Sequence, residues 1–143
     1  MKVLLVEPFF TGSHKKWAQE FAEHSCHEVK ILSLPGANWK WRMHGGAVTL
    51  SEQINKNDFN PEVILATDML DVALLKANLN RALWDVPVIT YFHENQISYP
   101  WSDTDEDVKL KRDNHYGFIN YTSALVSDQV LFNSEYHFSS NLF

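Results

Sequence analysis

Short apolar runs rich in branched residues recur along this chain and alternate with segments of helical periodicity. The runs predict five strands, at residues 2–6, 28–33, 62–66, 87–92 and 129–132. Helical segments between successive strands are typical of parallel sheets, because the chain must cross back before the next strand begins. The sequence therefore predicts an α/β fold, a Rossmann-like parallel sheet with helices on both faces.

The segments between and after the strands predict five helices. They are a helix capped by Ser13, one over 46–56, one with Leu70, Ala73, Leu74 and Ala77 on its apolar face, a long one over 106–126 weakened at Gly117, and one capped by Asn133-Ser134. The last runs to Phe143, where the chain stops without a helix stop signal. We therefore expect residues 1–143 to form a single domain that is a fragment of a longer two-domain protein.

Composition narrows the class of protein. A length of 143 residues, with 45% hydrophobic and 21% charged residues, suits one compact globular domain. The net charge of −6 argues against a free-standing nucleic-acid binder. Cys26 is the only cysteine, which excludes an internal disulfide and a cysteine-rich zinc site. No apolar run is long enough for a membrane helix, and Glu7 comes too early for a signal peptide, so we expect a cytoplasmic protein without membrane contact.

Polar residues capable of binding or catalysis follow the ends of the predicted strands. Gly12-Ser13-His14-Lys15 follows the first strand, His93-Glu94-Asn95-Gln96 the fourth, and Asn133-Ser134 the fifth. Ligands of open α/β sheets bind outside the carboxyl ends of the strands, where the strand order reverses. With a strand order of 3-2-1-4-5, the Gly12 loop and His93 face each other across one crevice.

Each of these segments also has a purely structural interpretation. The Gly12 loop is either a tight turn with an N-cap or a source of free N–H groups for an anion, and it lacks the GxGxxG spacing of a dinucleotide site. His93 either holds a loop or exchanges a proton with a substrate. Ile97 stands where an HExxH motif requires its second histidine, which argues against a zinc protease.

Two further patterns lie outside the strand ends. Trp39-Lys40-Trp41-Arg42, in a predicted loop, suits base stacking and phosphate contacts, although the tryptophans could equally pack under the loop and leave both cations in solvent. Arg112, Tyr116 and Asn120 share one face of the predicted long helix, and such a polar face is usually only solvated. The acidic run at residues 103–107 predicts an exposed loop that leads into this helix.

Five segments of the chain follow the order of a known family pattern. They are Gly12-Ser13-His14-Lys15, Trp39-Lys40-Trp41-Arg42, Tyr91-Phe92-His93-Glu94-Asn95-Gln96 with Tyr99-Pro100, Arg112-Asp113 with Tyr116-Gly117, and Val130-Leu131-Phe132-Asn133-Ser134. Together they resemble the N-terminal domain of the tRNA-queuosine α-mannosyltransferase family, over essentially the whole chain.

The resemblance implies the N-terminal half of a GT-B fold, in which two Rossmann-like domains face a cleft. The whole protein would be a retaining glycosyltransferase that needs neither a metal nor a cofactor. GDP-mannose, or another nucleotide sugar, would be held mainly by a C-terminal domain of the same chain. The acceptor, queuosine in a tRNA, would be held mainly by the N-terminal domain.

The resemblance also implies roles for residues. His93 would be the catalytic residue beside the transferred sugar, and the Gly12-Ser13-His14 loop would approach that sugar and the donor phosphates. Glu94 and Asn95 would shape the same pocket. The chemistry of Trp39, Trp41 and Arg42 assigns them to the acceptor side. The remaining residues that we predict to bind substrate are Lys15, Gln96, Arg112, Tyr116, Asn133 and Ser134.

Other functions remain open at this point. The chain could be a non-enzymatic ligand- or tRNA-binding module, or part of a GT-B glycosyltransferase with a different acceptor. A stand-alone regulatory domain of flavodoxin-like topology ranks last, because the strand ends show no clustered acids for a phospho-acceptor site.

Overall fold

The structure is a computed structural model that describes residues 1–140. It contains one five-stranded sheet in which every neighbouring pair is parallel. The strands are β1 (Lys2–Phe10), β2 (Glu28–Pro35), β3 (Val63–Thr67), β4 (Val88–Phe92) and β5 (Gln129–Phe132). The α/β, Rossmann-like prediction is therefore confirmed.

The predicted strand order is wrong. The sheet has the order β2-β1-β3-β4-β5, so β3 lies between β1 and β4 rather than at an edge. Burial explains the order: every residue of β3 is buried, whereas Glu28 and Lys30 of β2 are exposed in alternation with half-buried neighbours. A strand buried on both faces belongs inside a parallel sheet, and an alternating strand suits its edge. The order reverses between β1 and β3.

The helices cover both faces of this sheet. They are α1 (Gly12–His24), α2 (Trp39–Asn55), α3 (Val72–Asn78), α4 (Glu106–Lys109), α5 (Asn114–Val126) and α6 (Glu135–Ser140). Alternate residues of β1 separate the two cores: Val3 and Leu5 pack with Ala18 of α1, while Leu4 and Val6 pack with residues of α2 and α3. Among the helices of residues 1–140, none combines the length and the apolar character that crossing a bilayer requires.

Helix α2 begins seven residues before its predicted start at residue 46. The Trp39-Lys40-Trp41-Arg42 segment is therefore its first turn and not a loop. The reason lies in the apolar stripe, because the half-buried Trp39 and the buried Met43, Ala47, Leu50 and Ile54 repeat at helical spacing. Asn38, with φ of 52°, turns the chain into the helix.

The single long helix predicted over 106–126 is divided into α4 and α5. Lys111 has φ of 56°, in the left-handed region. The N–H of Arg112 donates to the carbonyl of Asp107 (2.7 Å), and the N–H of Lys111 donates to that of Val108 (3.1 Å). This pair of bonds is the Schellman arrangement that ends helices. Arg112 therefore does not share a helical face with Tyr116 and Asn120, which are both buried.

Three smaller predictions also need correction. The residue that caps α1 is Thr11 and not Ser13, although Ser134 does accept a hydrogen bond from the N–H of His137 in α6. In α3 the buried residues are Val72 and Leu75, because the cap is Asp71 and the helix starts after Leu70. The end of the last helix, predicted at Phe143, lies outside the described residues.

Candidate functional site

Four titratable side chains converge at the carboxyl edge of the sheet, around the point where the strand order reverses. Glu7 lies near the end of β1, His14 in the first turn of α1, Asp68 directly after β3, and His93 directly after β4. The rings of His14 and His93 have centroids only 4.3 Å apart. The predicted approach of the Gly12 loop to His93 therefore occurs, although β3 separates β1 from β4. We call this set of four residues the crevice cluster.

Glu7 is the centre of the crevice cluster. Its side chain is fully buried; Oε1 accepts from the N–H of Phe9 (2.9 Å) and Oε2 accepts from Nδ1 of His14 (3.3 Å). Nε2 of His93 lies 4.0 Å from the same Oε2, too far for a hydrogen bond. The register of β1 shifts between Glu7 and Phe10, and such irregularities re-aim side chains near functional sites.

The crevice cluster has unusual proton affinities. Burial raises the pKa of Asp68 to about 7, against the opposing effects of His14 and of the His93 N–H. Burial, together with the neighbouring His14, lowers the pKa of His93 to about 4. At neutral pH His93 is therefore an uncharged imidazole. For His14, burial lowers the pKa, but the carboxylates of Glu7, Asp68 and Glu94 together outweigh it, so the net pKa is raised.

A chain of buried hydrogen bonds fixes the segment that carries His93. Oδ1 of Asp68 accepts from the N–H of His93 (3.1 Å), and the backbone carbonyl of Asp68 accepts from Nδ2 of Asn120 in α5 (2.9 Å). Oδ1 of Asn120 then accepts from the N–H of Gln96 (2.8 Å). Asn133 adds a bond from its Nδ2 to the carbonyl of His93 (2.6 Å). The residues that directly follow β3 and β5, together with a residue of α5, thus hold the loop after β4 in place.

Three predicted site residues after His93 have distinct positions. Oδ1 of Asn95 accepts from the backbone N–H groups of Ile97 (3.0 Å) and Ser98 (2.8 Å), which folds the loop back on itself. Nε2 of Gln96 donates to Glu94 (3.3 Å), and Gln96 is buried while Glu94 is half-buried. Burial raises the pKa of Glu94. With His93, Glu94 and Asn95 line a cavity of about 210 Å³ that also meets α6.

The loop after β1 leaves its remaining predicted residues open to solvent. Gly12, Ser13 and Lys15 are exposed, and Nζ of Lys15 lies 5.7 Å from the Phe10 ring centroid. Gly12 has φ of +52°, and a Cβ there would meet nothing within 4 Å. The glycine is therefore explained by backbone conformation rather than by crowding. Space outside the loop lets a ligand approach the first N–H groups of α1.

The crevice cluster contains a possible metal ligand set. One ligand atom each from Glu7, His14 and His93 lies within 4.8 Å of the other two. Two imidazoles and one carboxylate are a donor set that transition metals accept. The prediction that the protein needs no metal therefore stays a prediction.

A second constellation lies in a separate groove of about 970 Å³ between α2 and the α4–α5 segment. It contains Trp41, Arg112 and Tyr116, three of the predicted substrate-binding residues. Lys40 is not in solvent, because its Nζ contacts Asp105 (2.7 Å) and Asp107 (2.6 Å). The acidic run is thus partly buried and paired, contrary to the prediction of an exposed loop.

Trp39 and Arg42 differ from their neighbour Trp41. Trp39 is half-buried and packs on Tyr116, with ring centroids 5.1 Å apart, which fits the structural alternative for this residue. Nε of Arg42 donates to the backbone carbonyl of Pro35 (3.1 Å). Trp41 has 75% of its surface exposed. The structure does not bring Trp39, Trp41 and Arg42 to the crevice cluster.

Sequence reasoning missed Glu7 and Asp68. Glu7 directly follows the apolar stretch Val3-Leu4-Leu5-Val6, and Asp68 follows Val63-Ile64-Leu65-Ala66 after one threonine. An acid at the end of such a stretch is buried unless the strand stops before it. This position after an apolar stretch is the sequence pattern that could have identified both acids. With Glu94, these residues also show that the strand ends do carry clustered acids, contrary to the prediction.

The parallel sheet with buried polar groups along its carboxyl edge defines a Rossmann-like α/β domain. The chain matches the family described as tRNA-queuosine alpha-mannosyltransferase N-terminal over residues 2–143, and it belongs to that family. It is 36% identical over 141 residues to a tRNA-queuosine alpha-mannosyltransferase of Drosophila melanogaster, a match that covers 98% of this chain. The chain spans 36% of the length of that relative. No solved structure gave a significant match.

Proposed function

We propose that the protein expressed from the complete reading frame is a retaining glycosyltransferase. It transfers mannose from GDP-mannose to queuosine in a tRNA, in the cytoplasm and without a cofactor. Residues 1–143 form its acceptor-side domain, and a second Rossmann-like domain of the same chain holds most of the nucleotide sugar. Family membership supports this proposal, and the Drosophila relative, a tRNA-queuosine alpha-mannosyltransferase, supports the choice of sugar and acceptor.

The observation that carries the role of this domain is the environment of His93. Its Nε2 is buried and has no hydrogen-bond partner within residues 1–140. A buried polar atom without a partner is costly, so a native site usually supplies one from a ligand or water. An uncharged imidazole at this position can donate to or accept from a hydroxyl of the transferred sugar. We therefore assign the 93–95 pocket to the sugar.

The same geometry suits the charge changes of the reaction. Retaining transfer passes through an oxocarbenium-like state while a diphosphate leaves. The buried carboxylate of Glu7 lies beside His14 and His93, where negative charge stabilises a developing cation. The free N–H groups at the start of α1, after Gly12, can assist the leaving phosphates. Most cations for the diphosphate would come from the second domain.

The test is transfer of labelled mannose from GDP-mannose to queuosine-containing tRNA by the complete protein. We expect His93→Ala to lower kcat/KM by about 100-fold or more, because the replacement removes the group beside the reacting sugar. His24→Ala is the matched control: this exposed histidine at the end of α1 is replaced in the same way, and we expect unchanged transfer.

The outcomes separate the parts of the proposal. Normal transfer by a folded His93→Ala variant would remove His93 from the site and leave the family assignment intact. Failure of the parent protein to transfer mannose, followed by transfer with another nucleotide sugar or another RNA, would reject this donor–acceptor pair alone. Residues 1–143 expressed alone should bind neither substrate productively and should show no transfer.

A further inference from the structure

The groove between α2 and the α4–α5 segment is built on an aromatic and imidazole surface. Trp41 projects from the first turn of α2 with 75% of its surface exposed. Beside it, His44 of α2 and His115 of α5 stack with ring centroids 4.5 Å apart and planes 16° from parallel. Nε2 of His115 lies 3.3 Å from Nδ1 of His44, so the pair joins the two helices across the groove. Flat rings of this kind suit the face of an unstacked base.

Cations border the same surface. Lys111 and Arg112 are exposed at the turn between α4 and α5, and both line the groove. The groove also contains two acids. Asp107 is already engaged by Lys40 (2.6 Å), by Arg112 (3.2 Å) and by the hydroxyl of Tyr116 (3.0 Å), which leaves Glu106 as the exposed acid. Lys111 forms no ion pair within residues 1–140, and Arg112 pairs with Asp107 but keeps 60% of its side chain exposed, so both can meet an anion although the chain as a whole carries −6.

Lys111 is strained as well as charged. Its φ of 56° is a conformation in which glycine or asparagine is ordinarily found after a helix. A lysine at this position costs stability relative to glycine. A cation at a turn better suited to glycine is an observation that an anionic ligand would explain.

The groove and the crevice cluster open at the same edge of the sheet but are separate. Helix α2 follows the carboxyl end of β2, and α5 begins at the same edge before it crosses back to β5. A wall that contains Phe9, Trp39, Met43 and Tyr116 lies between the two sites, and Phe9 also contacts the ring of His14 (5.9 Å). A polymer that crosses this wall reaches both sites. A nucleotide sugar bound at His93 would be separated from Trp41 by the wall.

We propose that this groove binds a single-stranded segment of the acceptor RNA next to the nucleotide that is modified. One unpaired base stacks on Trp41, and adjacent phosphates contact Lys111 and Arg112. The proposal rests on an RNA acceptor for the protein, as given under the proposed function. It adds the position at which this domain holds the RNA and the chemistry that it recognises there.

The experiment measures binding and transfer by the complete protein with queuosine-containing tRNA, at several salt concentrations. We expect Trp41→Ala to weaken RNA binding by roughly 5- to 100-fold, the usual range for loss of one stacked base, and Trp41→Phe to restore most of it. The KM for tRNA rises accordingly, while kcat at saturating tRNA and the KM for GDP-mannose stay unchanged.

Lys111→Gly is the second variant, and it separates binding from folding. Glycine removes the cation and relieves the positive φ, so we expect a protein at least as stable as the parent that binds RNA more weakly. The slope of log Kd against log salt should fall by about 0.7, the value for one lost phosphate contact with a single strand. Lys56→Glu, on an exposed residue after the far end of α2, is the control and should bind RNA normally.

Three results decide the matter. Unchanged RNA binding by Trp41→Ala and Lys111→Gly, in a preparation where the parent transfers mannose, would overturn the groove proposal and leave the proposed function standing. Lower thermal stability of Trp41→Ala without any change in RNA binding would instead assign the groove to the rest of the protein chain, and would also overturn it. Weakened RNA binding by both variants, in a parent that transfers no mannose, would support the groove and reject the proposed reaction.

Discussion

The pKa of an aspartate shifts in opposite directions in the crevice cluster and in the groove, as Asp68 and Asp107 show. Asp68 lies beside the histidines of the crevice cluster, and burial raises its pKa. No lysine or arginine is among the groups that shift this pKa. Asp107, in the groove, binds Lys40, which lowers its pKa. The crevice contains buried groups whose pKa values burial shifts, whereas the groove contains carboxylates that ion pairs keep charged. Buried groups with shifted pKa values suit a reaction, and ion-paired charges suit recognition of a charged partner.

Among the substitutions that test this difference between crevice and groove, Asp68→Asn is expected to change stability most. Asparagine keeps an acceptor for the N–H of His93 but has no charge. Because the folded pKa of Asp68 is raised to about 7, the buried carboxylate costs stability above its unfolded pKa near 4, and the cost is complete above pH 7. The variant should thus equal the parent near pH 4 and exceed it by up to roughly 4 kcal/mol at pH 8.

Urea unfolding of the two proteins at each pH measures this difference. Because the pKa values of His14 and His93 are also shifted in the folded protein, only the difference between variant and parent at a given pH is informative. A difference that stays constant from pH 4 to pH 8 would show that Asp68 has an ordinary pKa. The crevice and the groove would then not differ in the way described.

A smaller change in stability is expected from Gly36→Ala, in the turn that connects β2 to α2 and contacts the start of α1. A Cβ at Gly36 would lie 2.2 Å from Cβ of Thr11, so the turn between β2 and α2 cannot accept a side chain without moving the cap of α1. We expect a loss of about 1–3 kcal/mol, in the range of overpacked interiors, together with weaker transfer because His14 moves with α1.

Gly45→Ala is the matched control for that substitution. Gly45 lies within α2 and a Cβ there would meet nothing within 4 Å. The alanine should raise stability by about 0.5–1 kcal/mol through helix propensity. Thermal unfolding distinguishes the two, and equal effects of both glycine substitutions would contradict the close approach of Gly36 to Thr11.

The smallest effect is expected from Lys40→Met, which tests the fixed charges of the groove. Lys40 lowers the pKa of both Asp105 and Asp107, so the stability that these carboxylates add is present above their unfolded pKa near 4. It is lost as the pH falls through their lower folded values. The variant should therefore be less stable than the parent at pH 7 and similar to it near pH 2, as judged by urea unfolding. A deficit that persists near pH 2 would assign the role of Lys40 to packing instead.

The sequence was sufficient to predict the class of fold and the two histidines of the crevice cluster. Apolar runs placed all five strands to within a few residues, because burial on a sheet demands such runs. His14 and His93 were found because polar residues directly after strands lie at the carboxyl edge whatever the strand order. For this reason the predicted approach of the Gly12 loop to His93 is correct although the predicted strand order is wrong.

Other features depended on tertiary contacts that the sequence does not display. The break at Lys111 occurs at a residue without a helix-breaking side chain, in a segment whose Asp107 side chain is held by Lys40 from another helix. The burial of Glu7 likewise depends on His14, which satisfies its Oε2 from a different element. Local propensity cannot predict a partner contributed by a distant part of the chain.

The interior position of β1 in the sheet has a consequence for synthesis of the protein. Of the five strands, β1 leaves the ribosome first and can pair with β2 early, but its other edge must wait for β3, where Val3 aligns with Val63. An unpaired edge on an apolar strand is a template for association with other chains. Nascent chains that end before Thr67 are therefore the form of this protein that we expect to depend most on chaperones.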